Sequence, residues 1–292
     1  MKVLVTGAGG LLGSKIVELA KDYTVYKTHV SHPFFQDSIR MDITNEKEVR
    51  QVFSQVMPNV VIHTAAETNV DKCEDRREHA WKINADGTRI LAEACNKANA
   101  KMMYVSTDYV FDGEKGLYAE EDEPNPVNYY GLTKLMGERN VEKLCESFAI
   151  LRTSVLYGTH PEKPNFVKWV IAALVRGKPL TVVEDHYNSP TLADNLAEAV
   201  IEAVESRVGG VYHAAGSERI SRYDLALKVA ETFNFDATLV RPIRMSELKA
   251  WTAKRPKDSS LCVDKTQREI GVELLDVKRG LTEMKRKWKE TK

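Results

Sequence analysis

Met1-Lys-Val-Leu-Val-Thr-Gly-Ala-Gly-Gly-Leu-Leu-Gly13 decides how the first half of this chain folds. Lys2 to Val5 is a short, β-branched, apolar run of the kind a buried strand uses. Thr6-Gly7-x-x-Gly10-x-x-Gly13 follows without a gap, and Leu11, Leu12, Ile16 and Leu19 then recur at helical spacing. Strand, glycine turn and helix in that order suit a dinucleotide pyrophosphate. Gly7 makes the tight turn, Gly10 lets backbone N–H groups approach phosphate, Gly13 lets the helix sit close to the strand, and the helix N-terminus faces the anion. An ordinary strand–turn–helix with spare glycines is the competing reading, because a glycine pattern alone is weak.

Outward from that start, strand and helix signals alternate. Thr24-Val25-Tyr26 reads as a second strand, and Glu46 to Val56 as a helix opened by Thr44 or Asn45. Asn59-Val-Val-Ile-His63 reads as a third strand, Ala80 to Ala98 as a long helix, and Met102-Met-Tyr-Val105 as a fourth strand. Thr133 to Cys145 is helical in pattern, and Phe148-Ala-Ile-Leu151 is a fifth strand. This rhythm predicts an α/β fold, a doubly wound parallel sheet of the Rossmann kind. Past Gly158 it loosens, with Pro161, Pro164, Pro179, Pro190, Pro242 and Pro256 between short elements. The expected division is a dinucleotide-binding domain over 1–157 and a smaller mixed α/β substrate-binding lobe over 158–292, some of whose elements return to the first domain.

Lys+Arg and Asp+Glu both number 42, so the formal net charge is zero. Nothing in that balance favours nucleic acid or an anionic membrane. The basic stretch Lys278 to Lys289 reads as a solvated helix face with Leu281, Met284 and Trp288 turned inward. No apolar run approaches the roughly 20 residues of a membrane span, and the start lacks a signal-peptide pattern, so the expected compartment is the cytoplasm. Cys73, Cys95, Cys145 and Cys262 are scattered, with no C-x-x-C pair. Neither a metal nor a disulfide is expected of them.

Two further constellations carry chemistry. In Tyr130-Gly-Leu-Thr-Lys134, residues four apart on a helix share a face. A lysine ammonium beside a phenol favours phenolate, lowers its pKa and readies it for acid–base work. A surface tyrosine with a solvated lysine is the alternative. Tyr23 and Lys27 show the same spacing, but on a predicted strand, where residues four apart are too far separated. Ser106-Thr107-Asp108 follows directly on the fourth strand, the edge that lines the ligand crevice of such a sheet. A hydroxyl there can reach a substrate carbonyl or the phenol. A helix cap or ST-turn is the alternative, weakened by an expected extended or loop course for Tyr109-Val-Phe-Asp-Gly113.

Together these residues resemble the extended short-chain dehydrogenase/reductase family, whose signature joins T-G-x-x-G-x-x-G, a Ser or Thr after the fourth strand, and Y-x-x-x-K. The resemblance runs nearly the whole length. Ala65-Ala-Glu-Thr-Asn-Val-Asp-Lys72, Ser106-Thr-Asp-Tyr-Val-Phe-Asp-Gly113, Tyr130-Gly-Leu-Thr-Lys-Leu-Met-Gly-Glu138 and Arg152-Thr-Ser look like the dTDP-4-dehydrorhamnose reductases within it. So do Asn165-Phe166, Ser189-Pro-Thr191 and Arg255-Pro256.

The resemblance implies that Tyr130 donates a proton to the C4 oxygen of a nucleotide-linked 4-keto sugar while NAD(P)H supplies hydride. Lys134 would hold the nicotinamide ribose and tune Tyr130, and Thr107 would orient the phenol or the carbonyl. Thr107, Asp108, Asn165 and Arg255 would meet the substrate. Gly10, Leu11 and Leu12 would cradle the pyrophosphate, Asp42 and Ile43 would flank the adenine, and Ala65 and Ala66 would lie along the cofactor. Two positions depart from the family pattern. Val155 stands where Trp often follows Arg-Thr-Ser, and Ser14-Lys15 stands where some members carry an acidic Mg²⁺ ligand, so no metal is carried over.

Gly10-Leu-Leu-Gly13, Ala65-Ala-Glu67 and Arg241-Pro-Ile-Arg-Met-Ser-Glu247 also resemble the regulatory β subunits of methionine adenosyltransferase, which bind NADP but serve as partners of another enzyme. An epimerase or dehydratase of the same family is a third reading, and a homodimer is allowed. Cofactor choice is argued separately. NAD sites place an acid about twenty residues past the glycines, whereas Lys27-Thr-His-Val-Ser-His32 has none. His29 and Ser31, with Lys27 beside them, favour NADP(H), with NAD(H) still allowed. His63 reads as a satisfied histidine of the core. His186-Tyr187 either reaches substrate or forms a turn.

Overall fold

The computed structural model describes residues 1–290. Seven parallel strands form one sheet: β1 (Lys2–Thr6), β2 (Thr24–His29), β3 (Ile39–Arg40), β4 (Val60–His63), β5 (Lys101–Thr107), β6 (Phe148–Thr153) and β7 (Gly210–His213). Their order is β7-β6-β5-β4-β1-β2-β3, so the chain reverses direction across the sheet between β1 and β4. That reversal opens the crevice where ligands bind in doubly wound folds.

Period-two alternation covers both faces of the sheet with helices. Val3 and Val5 of β1, Ile62 of β4 and Leu151 of β6 pack on α1 (Leu11–Leu19) and α6 (Ala193–Glu205). Leu4, Val61, Met102 and Ile150 point the other way, onto α2 (Glu46–Val56), α3 (Thr88–Lys97) and α4 (Tyr129–Leu144). Asn45 opens α2, its side chain accepting from the N–H groups of Lys47 and Glu48. The helical pattern expected over Ala80–Ala98 starts earlier, at Arg77, and holds a π-helical turn over Lys82–Gly87 before α3. Such turns frequently mark functional sites. The turn seats buried Asn84, which donates to the Glu67 carbonyl (3.0 Å) and to Thr133 Oγ1 (3.0 Å).

The later chain supplies a separate apolar cluster built on α5 (Phe166–Leu174), α7 (Arg222–Phe233) and α8 (Val277–Glu290). Leu281 and Met284 of α8 are buried in it, and Trp288 packs against it. Leu180–Val183 pairs in parallel with Val240–Ile243 beside it. Strand β7 and helix α6 come from this later half, yet complete the main sheet and its cover. No helix among the described residues is long and apolar enough to cross a membrane.

Candidate active site

The turn between β1 and α1 fits a dinucleotide. Gly7 turns at φ +70°, and a Cβ on Gly13 would lie 2.3 Å from the Gly7 carbonyl oxygen. Only glycine lets the helix approach so closely. Gly10 caps α1 with no side-chain hydrogen bond, which leaves the first-turn N–H groups of Leu11 and Leu12 for an anion. Beside the turn lies a cavity of about 360 Å³ lined by Gly7, His29, Asp42, Ile43, Ala65 and Ala66. Asp42 folds its carboxylate onto Thr44, accepting from the backbone N–H (2.9 Å) and from Oγ1 (2.8 Å).

His29 bonds through Nδ1 to Ser38 Oγ at 2.9 Å, which sets its ring. Ser31 is placed elsewhere: β2 ends at His29, and Ser31 is exposed outside the lining of the cavity. Lys27 is held by Asp37 at 2.5 Å. Basic groups that spacing gave no reason to select, His79 and Lys82, line the cavity instead. They arrive on the helical run after β4.

Helix α4 carries Tyr130 and Lys134 to the C-terminal end of β5. Asn128 caps it, accepting from the Gly131 N–H at 2.8 Å. A Cβ on Gly131 would lie 2.0 Å from the Tyr109 carbonyl oxygen, so glycine is what brings the helix down on this segment. The Tyr130 ring stands edge-on to Tyr109, with 5.9 Å between centroids. Thr107, the last residue of β5, is near enough to the Tyr130 phenol to act on it.

Burial raises the Tyr130 phenol well above the ordinary tyrosine value, with the Thr107 hydroxyl pulling the other way. Lys134 Nζ donates to the Val105 carbonyl at 2.8 Å and lies 4.1 Å from the Tyr104 ring centroid. Burial brings its pKa down to about 7, against the pull of Glu138. The expectation of a phenol lowered by Lys134 is therefore corrected. The ammonium is anchored on β5, and desolvation dominates at the phenol, which holds its proton at neutral pH. The Tyr23–Lys27 pair is split, Tyr23 donating to Glu205.

Thr107 also caps. Its Oγ1 accepts from the Tyr109 N–H and donates to Asp108 Oδ1, both at 3.2 Å. It opens a 3₁₀ turn over Asp108–Val110, so the cap reading holds beside the expected extended or loop course. The buried Asp108 accepts from Ser259 Oγ (2.5 Å), Ser154 Oγ (2.8 Å) and Asn188 Nδ2 (3.4 Å). It thus ties the end of β5 to three later segments, and burial raises its carboxyl. His63 is buried between Thr6 Oγ1 (2.7 Å) and Thr88 Oγ1 (3.1 Å). Because Thr88 gives its own proton to the Asn84 carbonyl, His63 Nε2 must be the donor and Nδ1 the acceptor. Burial drops this histidine to about 3, so it stays neutral.

A second cavity, about 430 Å³, opens beside Tyr109 and is lined by Phe166, Trp169, Arg222, Trp251 and Arg255 among others. Arg255 presents itself here, but its Nη2 is held by Asp71 Oδ2 at 2.8 Å and its Nη1 by the Ala253 carbonyl at 2.8 Å. Asp71 also accepts from the N–H groups of Thr252 (3.0 Å) and Ala253 (2.9 Å), so it clasps the loop that walls the cavity. Asn165 caps α5, accepting from the Lys168 N–H and donating to the Gly158 carbonyl. Both polar ends of Asn165 are used by the backbone, and its neighbour Phe166 meets the cavity.

Sequence reasoning missed Arg222, Tyr109 and Trp251. Arg222 opens α7, and only tertiary folding brings it to Asn188 Oδ1 (2.8 Å) and over the Phe166 ring. Val155 has a left-handed backbone, φ +42°, and its carbonyl accepts from the Thr191 N–H.

The RmlD substrate binding domain model matches residues 1–289. A dTDP-4-dehydrorhamnose reductase of Aggregatibacter actinomycetemcomitans is 35% identical over 292 residues, covering 96% of this chain and 97% of that protein. The bovine methionine adenosyltransferase 2 subunit beta is 31% identical over 274 residues, covering 89% and 80%. The crystal structure of dTDP-4-dehydrorhamnose reductase from Bacillus anthracis in complex with NADP superposes with a TM-score of 0.89 at 32% identity, covering 98% and 99%. On that match over nearly the whole length, the chain belongs to the RmlD substrate binding domain family of extended short-chain dehydrogenases/reductases.

Proposed function

We propose that this protein reduces the C4 keto group of a nucleotide-linked deoxysugar with NAD(P)H, NADP(H) being the favoured cofactor. One observation carries the reading: Tyr130, one turn before Lys134 on α4, stands edge-on to Tyr109, which walls the second cavity at the end of β5. The reductase relatives and the NADP of the Bacillus anthracis enzyme support it. A bound NAD(P)H would supply the hydride. The residues of this chain do the rest. Tyr130 gives its proton to the forming C4 alkoxide, and Thr107 orients donor and carbonyl. Lys134 steadies the cofactor ribose from its seat on β5. His29, His79 and Lys82 offer a basic setting for a 2′-phosphate. The test is oxidation of NADPH, followed by its absorbance, with dTDP- and UDP-linked 4-keto-6-deoxy sugars. No turnover with any of them would end this reading.

The likeness to the bovine β subunit supports a second reading, a cofactor-loaded regulatory partner. Tight association with a methionine adenosyltransferase catalytic subunit, without turnover of any 4-keto sugar, would favour it.

A further inference from the structure

His186 is buried at 1% exposure on the wall of the second cavity, and neither of its ring nitrogens has a hydrogen-bond partner. Its contact is apolar: the ring meets Trp251 edge-on at 5.6 Å between centroids. Nor does its place in the chain demand an imidazole. Its backbone carbonyl takes the Arg222 N–H, a bond that any residue would make. A buried imidazole with two unmatched polar atoms is costly, because each loses its bonds to water and gains nothing. Ser221, His63 and Asn188, also buried, all have partners; Ser106 Oγ and His160 Nε2 lack one too, but among the described residues His186 alone is unmatched at two atoms. His186 lines the cavity wall with its two nitrogens covered and unmatched, so a ligand that turns the ring toward it can complete them.

The surroundings indicate which ligand group. Arg222 and Arg255 present their side chains to the same cavity, while Asp71 and Asp108, which balance them, stand outside its lining. The wall is thus polarised positive. Both guanidinium groups, together with burial, hold His186 neutral, so it keeps one N–H donor. Phe166, Trp169 and Trp251 add flat apolar surface for a base.

We infer that His186 is a substrate-binding residue, donating its ring N–H to the diphosphate of a nucleoside diphosphate-linked ligand alongside Arg222 and Arg255. This rests on the reading of the chain as acting on a nucleotide-linked sugar, and it names the residue that selects the diphosphate.

The test uses the full-length NADPH-loaded protein titrated with dTDP, UDP and dTMP, in the wild type, His186→Phe and His186→Gln. His186→Phe keeps an aromatic ring against Trp251 and loses both nitrogens. His186→Gln restores a donor and an acceptor. The expected result is a loss of dTDP affinity of about 10- to 100-fold in His186→Phe, as for a charged hydrogen bond. The loss for dTMP should be smaller, NADPH affinity should be unchanged, and His186→Gln should recover much of the dTDP affinity. Without nucleotide, His186→Phe should melt higher than wild type, because the unmatched imidazole is gone. A merely structural histidine would give a lower melt. His186→Phe binding dTDP within twofold of wild type overturns the inference alone. Wild type binding neither dTDP nor UDP overturns both the inference and the reading beneath it. If His186→Phe does not fold, His186→Gln and His186→Leu decide by the same comparison, Gln binding and Leu not.

Discussion

Glu138 and Arg152 form a buried ion pair beneath α4, the helix that carries Tyr130 and Lys134, and breaking it should be felt in stability and, on the proposed function, in rate. Glu138 lies one turn beyond Lys134 on α4. Arg152 Nε reaches its two carboxylate oxygens at 3.0 and 3.2 Å, and Nη2 reaches Oε2 at 2.7 Å. The side chains are 5% and 2% exposed for Arg152 and Glu138. Glu138→Gln removes the carboxylate and leaves a buried guanidinium with His213 Nε2 at 3.5 Å and the Phe111 ring as remaining neighbours. Breaking a buried pair from one side costs about 3–5 kcal/mol. At about 2–4 °C per kcal/mol for a chain of this size, the melting temperature should fall by roughly 6–20 °C. Replacing both partners, as Glu138→Leu with Arg152→Met, should return much of that loss, because no unpaired charge remains. The rate arm has its own sign. Glu138 pulls the Lys134 pKa up against burial, to about 7. A step that needs the ammonium runs fully below that pKa and fails as pH rises through it. Without Glu138 that failing limb should move to lower pH. Calorimetry and a pH–rate profile read the two arms. A loss below about 1 kcal/mol, the worth of an exposed pair, would refute the burial argument, and an unmoved limb would refute the link to Lys134.

Tyr130→Phe should slow the proposed ketone reduction by about 10²–10⁴-fold while NADPH titration is little changed; near-full activity would remove Tyr130 as the acid. Competitive titration should find NADPH bound more tightly than NADH, with His29→Ala and Lys82→Ala each narrowing the gap; equal affinities in the wild type would count against the basic wall. Asp71→Asn frees the clasp on Arg255, Thr252 and Ala253, so KM for the nucleotide sugar should rise about tenfold or more at unchanged NADPH affinity, and a change confined to NADPH would contradict the clasp. Lys134 binds its proton less well folded, at about 7, than unfolded, at 10.5. Between those values the unfolded chain holds the extra proton, so stability should rise with pH across that window. Lys134→Met should flatten the rise in denaturant titrations, and an unchanged slope would place its source elsewhere.

What could be read from residues alone divides along a physical line. Local pattern finds whatever short-range geometry determines. The glycine turn, the alternation of the sheet strands and the Asn45 cap all follow from neighbours in sequence, and each stands where pattern put it. Tyr130 and Lys134 were legible because a helix makes four-residue spacing a shared face. Their protonation was not, because it depends on desolvation, and desolvation depends on how closely Gly131 lets α4 press on the Tyr109 segment. The same holds for the second cavity. Arg222 is 67 residues beyond Val155 and looks like any helix-opening arginine; Asn188 and Phe166 give it a meaning only after the later lobe closes. Asn165 shows a different gap. Family pattern marks the position, while the fold gives its side chain a second duty in starting α5 beside Phe166, which meets the cavity. His186 is the sharpest instance. In sequence it is equally a turn residue or a contact, and what separates the two is a fact no pattern carries: whether its nitrogens find partners inside the folded chain. They find none, which is why the argument about substrate recognition runs through a residue that spacing alone left undecided.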